Sequence, residues 1–187
     1  MANKRENIIE MTCTLLESQG YHATGLNQIL KESGAPKGSL YYYFPEGKEE
    51  LAVEAINRTA ERVEKNIRVQ LAKHESHVEA ISSFIRTIAS YVAESEFKAG
   101  GPLTTLALES ANTSERLTSA CDQAYSGWCR AFSDILEQNG YSPDRAASLA
   151  HLIISSIEGA TVLSRTERST QPLQDTAEEV ARLLQCE

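Results

Sequence analysis

Lys37-Gly38-Ser39-Leu40-Tyr41-Tyr42-Tyr43-Phe44, set between Gly34-Ala35-Pro36 and Pro45-Glu46-Gly47, decides how this chain is read. Pro36 suits the first turn of a helix, where its missing N–H costs nothing and its fixed φ is already helical. Phe44-Pro45-Glu46-Gly47 reads as a turn, so the helix between them is short and ends near Tyr43. With Leu40 set inward and about 100° per residue, Gly38 and Tyr42 fall about 160° away, on the opposite side. Ser39 and Tyr41 flank them, while Lys37, Tyr43 and Phe44 lie nearer the buried side. Lys37 stands at the helix start and is long enough to reach a phosphate.

Working toward the N-terminus, Leu26, Ile29 and Leu30 mark one face of another short helix, with Thr24 as its expected N-cap and Gly34 as its stop. Two short helices joined by a tight glycine-containing turn are the geometry of a helix-turn-helix, whose second helix enters the major groove of DNA. Ile8, Ile9, Thr12, Leu15 and Leu16 give a preceding helix from residue 4 to Ser18, stopped by Gly20. Working toward the C-terminus, a long helix is expected from Lys48 to Lys73 and another from residue 77 to Glu94, broken by Lys98-Ala99-Gly100-Gly101-Pro102. Leu103 to Ala111 forms a shorter one. Further helices end at Asn139-Gly140, run from Pro143 to Glu167, and run from Leu173 to Gln185. Strand-type alternation is nearly absent, so the chain is expected to be all-α with about nine helices. The expected division is a three-helix head over residues 1–47 and a larger helical body over residues 48–187.

The outward face of the 37–43 helix carries hydroxyl donors and one glycine, which suits close approach to a backbone and contacts to phosphate. It has no arginine aimed at guanine. Base readout is therefore expected to be modest and to rest on Lys37, Ser39 and Tyr42 together with DNA shape. Taken alone, an aromatic run such as Tyr41 to Phe44 is more often core.

Charge distribution agrees with a localised DNA face. The 187 residues carry a net charge of −8, which argues against a protein that coats nucleic acid nonspecifically. Residues 1–48 hold five basic and five acidic residues, so the remaining 13 basic and 21 acidic residues carry the whole excess. No apolar run approaches the length a membrane span needs, and the polar start does not resemble a leader, so a cytoplasmic protein without a membrane partner is expected. Cys13, Cys121, Cys129 and Cys186 form no Cys-x-x-Cys pair and no zinc spacing, and read as buried or bystander thiols. On one helix, Cys121 and Cys129 would stand about 12 Å apart, beyond disulfide reach. His74 and His77, near Glu75 and Glu79, straddle a helix junction and read as a solvated loop. No metal and no cofactor is expected. Nor is an enzyme, since phosphate-loop, nucleophile-elbow and zinc-protease signatures are all missing.

Gly20-Tyr21-His22-Ala23-Thr24, Ile29, Gly34, the segment Lys37 to Phe44, and Lys48-Glu49-Glu50-Leu51 together resemble the TetR family of bacterial regulators. The resemblance implies a DNA-binding head, a fourth helix linking it to a sensor, and repression relieved when a ligand moves two heads apart. Carried over by position, it assigns DNA contact to Lys37, Gly38, Ser39, Tyr41, Tyr42 and Tyr43. It adds Thr24 as the cap of the second helix and Lys48 as a phosphate contact. Two positions depart from the pattern. Pro36 stands where a hydroxyl residue is common, and Gly47 reads as an extra residue before Lys48. Gly101-Pro102-Leu103, Leu106-Ala107-Leu108-Glu109, Trp128 and Ile157-Glu158-Gly159-Ala160 resemble a subgroup containing regulators of multidrug and antibiotic efflux genes.

The expected partners are double-stranded operator DNA, a small hydrophobic or drug-like effector, and a second copy of the chain. Helical spacing nominates Phe84, Ile88, Tyr91, Leu103, Leu106, Tyr125, Trp128 and Phe132 as walls of an effector pocket, although each equally suits plain core. Glu109 and Glu158 would attract a cationic ligand if buried. The 143–167 helix is apolar on more than one face, which is the mark of a helix shared between its own core and a partner. Ile153, Ile157 and Ala160, with Val180 and Leu184 of the last helix, are the expected contacts of a homodimeric four-helix bundle. The alternative is a constitutive DNA-binding adaptor with no small-molecule ligand.

Overall fold

The computed structural model describes residues 4–185. Among them are nine helices and no strand: α1 (Lys4–Ala23), α2 (Leu26–Ser33), α3 (Lys37–Tyr43), α4 (Lys48–Leu71), α5 (His77–Glu94), α6 (Thr104–Ser110), α7 (Glu115–Gln138), α8 (Pro143–Glu167) and α9 (Gln171–Gln185). Two compact units emerge. The first holds the described residues up to Glu61 together with Pro102–Ala124, and the second holds Arg62–Gly101 with the described residues from Tyr125 onward. This differs from the expected division at residue 47. The first half of α4 buries Leu51, Ala52, Ala55 and Ile56, and Ala55 offers its carbonyl to the Cys13 thiol of α1 at 3.4 Å. A helix packed that way belongs with the head.

In the first unit, α1 packs against α2, α3 and α6. Its buried side is Ile8, Ile9, Thr12, Cys13, Leu15 and Leu16, met by the fully buried Ile29, Leu40 and Phe44. Burial of each such side chain contributes about 1.5–3 kcal/mol, which is what holds helices as short as α2 and α3 in place. The ion pairs Arg5–Glu54 and Arg58–Glu6, each at 2.8 Å, join α1 to α4 at partly exposed positions and serve alignment more than stability.

The second unit is built on α5 packed against α9 and α8. Ser76 caps α5 by accepting the Glu79 N–H, as the Ser-x-x-Glu spacing dictates. Ser142 does the same for α8, with Pro143 in its first turn. Ile81, Ile85 and Val92 of α5, Leu149 and Ile153 of α8, and Leu173 and Ala177 of α9 are buried. Arg68 of α4 bridges Glu64 at 2.9 Å and Asp134 of α7 at 2.8 Å.

Contrary to the expectation from the sequence, one helix among the described residues is long and apolar enough to cross a membrane by length and composition: α8, 25 residues with a mean hydropathy of 1.4 in its most apolar window. Part of it, 44% of that window, is buried within the protein. Ala146, Leu149, Ala150, Ile153, Ile157 and Ala160 all face the interior of its own unit.

Candidate nucleic-acid interface

α3 is held by its buried side and presents the opposite one. Leu40 is 0% exposed and Phe44 1%, whereas Tyr42 is 79% and Tyr41 48% exposed. Lys37 and Gly38 are also exposed, and Ser39 and Tyr43 are half-buried. The sequence angles therefore give the orientation that the structure has. Tyr43 packs edge-on against both Tyr42 and Phe44, with centroid distances of 5.0 and 6.5 Å, so the exposed Tyr42 ring stands on a braced neighbour. Pro36 is the N-cap in extended conformation, one position before its expected place, because the helix begins at Lys37.

Thr24 requires a correction. The N-cap of α2 is Gly25, which has no side chain to offer, and Thr24 is 1% exposed with its hydroxyl donated to the Gly20 carbonyl at 2.6 Å. The hydroxyl closes the preceding turn, so Thr24 neither caps α2 nor faces outward.

That turn is unusual. Gly20 interrupts α1 at φ 78°, ψ −177°, a region open essentially to glycine alone. The chain then resumes one helical turn, whose first amides lack intrahelical acceptors. The carboxylate of Glu109 on α6 accepts both, from Tyr21 N–H at 2.6 Å and His22 N–H at 3.2 Å. Glu109 is thus occupied by backbone amides, not placed as the buried cation ligand considered from the sequence. The Lys48 ammonium lies over the Tyr21 ring, 4.1 Å from its centroid. Burial lowers the Lys48 pKa, and the charge of Glu109 opposes that shift. Lys48 is therefore engaged within the head, at the start of an α4 that follows Gly47 at φ 84°. Arg116 pairs with Glu46, and the Ser114 hydroxyl donates to Glu49.

The expected effector residues divide between the units. Leu103 and Leu106 are buried in the first. In the second, Phe84 and Phe132 pack edge-on at 5.6 Å and Tyr125 and Trp128 at 5.0 Å. Ile88 is half-buried, and Tyr91 is 49% exposed. A separate, open recess runs along residues 111–122, bordered by Asn112, Thr113, Ser114, Thr118, Ser119 and Asp122. The His77 ring packs edge-on against Tyr141 at 5.6 Å.

The expected dimer contacts are also corrected. Ile153, Ile157, Ala160, Val180 and Leu184 are at most 6% exposed, buried by the chain's own helices. The apolar residues that α8 leaves exposed are Leu152, Val162 and Leu163, at 47%, 48% and 53%. Periodicity revealed two apolar faces and could not tell which one the chain covers by itself.

Cys13 and Cys121 are buried and Cys129 is half-buried. Burial pushes the Cys121 thiol up to about 11 and raises that of Cys129, which keeps both protonated and unreactive near neutral pH. Cys186 lies outside the described residues.

Residues 8–55 match the family of bacterial regulatory proteins, tetR family, and residues 77–179 match the C-terminal domain of LmrA/YxaF-like transcriptional regulators. The chain is 44% identical over 182 residues to the HTH-type transcriptional regulator YxaF of Bacillus subtilis, spanning 97% of this chain and 95% of that protein. It is 40% identical over 171 residues to the HTH-type transcriptional regulator LmrA of the same organism, spanning 91% of each. Among solved structures, a TetR transcriptional regulator from Legionella pneumophila shares the fold, with a TM-score of 0.86 over 98% of both chains at 23% identity.

Proposed function

The chain belongs to the TetR family of bacterial transcriptional regulators, and from that premise we propose that it is a cytoplasmic repressor, binding operator DNA as a homodimer and released by a small hydrophobic or drug-like effector. The observation that carries this reading is α3: seated on Leu40 and Phe44, it turns Lys37, Gly38, Tyr41 and Tyr42 outward. That is the arrangement a recognition helix needs, with a fixed back and a front of donors small enough to reach a groove. Ser39, Tyr43 and Lys48 stand at its margin, and Lys48 reaches phosphate only by leaving the Tyr21 ring.

The effector reading draws on the aromatic pairs Phe84–Phe132 and Tyr125–Trp128, which give the second unit the apolar, aromatic interior that drug-like molecules favour. The match to LmrA/YxaF-like C-terminal domains lies over the same residues. Ile88 and Tyr91 of the same unit complete the candidate set.

Replacing Tyr42 tests the DNA face. Tyr42→Ala removes a 79% exposed ring and no core contact of Leu40 or Phe44. Operator affinity by fluorescence anisotropy is expected to drop by about tenfold or more, the scale of a lost contact worth about 1–3 kcal/mol, with the dimer intact in sedimentation. Unchanged affinity would remove α3's outward face from the interface.

Dimerisation is assigned to the exposed stripe Leu152, Val162 and Leu163, beside Gly159, where open space would admit a close approach. A twofold axis presents each residue of such a stripe twice, so Leu163→Glu buries two like charges. Sedimentation should report a monomer at micromolar concentration; a persistent dimer would place the interface elsewhere.

A further inference from the structure

Operator binding needs more than a correctly facing α3: the turn that feeds α2 and α3 must itself be fixed. On the reading of the chain as an operator-binding regulator, we propose that Glu109 is a positioning residue for DNA binding, the clasp by which α6 holds the corner between α1 and the helix-turn-helix.

Four observations within the first unit converge on that carboxylate. The corner amides of Tyr21 and His22 both donate to Glu109 Oε2, and their own helix has no acceptors for them. A carboxylate is the strongest ordinary acceptor for such amides, and it also meets the positive end of the short resumed turn. Gly20, immediately before them, lets the two elements close. A Cβ there would stand 2.8 Å from Glu109 Oε1 and 2.8 Å from Thr105 Cγ2, both on α6. Lys48, over the Tyr21 ring at 4.1 Å, supplies the opposite charge and ties the first residue of α4 to the same point. Finally, the corner is rigid on its far side: Thr24 donates to the Gly20 carbonyl, and α2 begins two residues later at Leu26.

The two hydrogen bonds thus tie the corner to α6 at a defined point, beside the packing of α6 on α1. Glu109 touches no DNA in this account. Its effect on affinity comes from the corner's disorder once the amides lose their acceptor.

The test compares Glu109→Ala and Glu109→Gln with the wild-type dimer, reading operator affinity by anisotropy and amide hydrogen exchange by mass spectrometry. For Glu109→Ala, exchange at Tyr21 and His22 should accelerate by about tenfold or more, the scale of losing hydrogen bonds to a charged acceptor, while protection of α5 and α9 stays unchanged. Operator affinity should fall at least about fivefold, which a local fold defect away from the corner would not produce. Glu109→Gln keeps an amide-accepting oxygen and should recover most of both properties; it also serves if the alanine variant does not fold. Glu109→Ala that binds operator like the wild type, or Glu109→Gln that protects the amides and still fails to bind, would overturn the clasp. A wild-type protein that shows no selective binding in the same titration would instead sink the operator-binding reading itself.

Discussion

Gly38→Ala is expected to weaken operator binding by about tenfold or more, one lost contact of about 1–3 kcal/mol, while leaving the free protein at least as stable as the wild type. The two effects have opposite signs because they arise from different surroundings. In the free protein a Cβ on Gly38 would meet nothing within 4 Å, so neither packing nor backbone geometry asks for glycine there. Alanine in a helix is favoured over glycine by about 0.8–1.0 kcal/mol. A glycine at that exposed position, between Lys37 and Ser39 on the outward side of α3, suits a surface that must approach another body closely. The methyl group would then stand where DNA has to come. Thermal denaturation and anisotropy on one preparation separate the two terms; equal affinity with raised stability would show that DNA does not approach α3 at this residue.

The second large effect falls on Gly20. Gly20→Ala forces a side chain into φ 78°, ψ −177° and brings its Cβ to 2.8 Å from Thr105 and Glu109. Backbone strain in that region alone costs about 1–3 kcal/mol, and relieving the contact pushes Glu109 off the Tyr21 and His22 amides. A marked fall in the denaturant midpoint is expected, without the gain foreseen at Gly38. An unchanged midpoint would mean that α1 passes this point without the break seen here.

Gly20 and Gly38 also mark what the sequence made legible. Gly20 was readable as a helix stop because a lone glycine follows the last apolar position of α1. The pairing of the next residue's amide, Tyr21 N–H, with Glu109 was not, since that acceptor lies 88 residues away and no local pattern encodes a carboxylate capping a distant turn. The orientation of α3 followed from one buried leucine and the helical period. Thr24 was misplaced for a related reason: a threonine before a helix usually caps it forward, and here the hydroxyl turns back to Gly20. α8 shows the limit of periodicity most clearly. Its two apolar faces are both visible in the sequence, but which of them the chain buries depends on packing with α5 and α9, which no local pattern encodes. The grouping of α6 and the start of α7 with the first unit is likewise a matter of three-dimensional contacts, invisible in local sequence.

The most direct test of the central claim is anisotropy of the purified protein with the DNA upstream of its own gene, against scrambled DNA of equal length, at several salt concentrations. Selective binding that weakens steadily as salt rises is the predicted result, since phosphate contacts release bound counterions. Equal affinity for both DNAs, or an affinity indifferent to salt, would contradict the assignment of α3 as a sequence-reading helix docked on the DNA backbone.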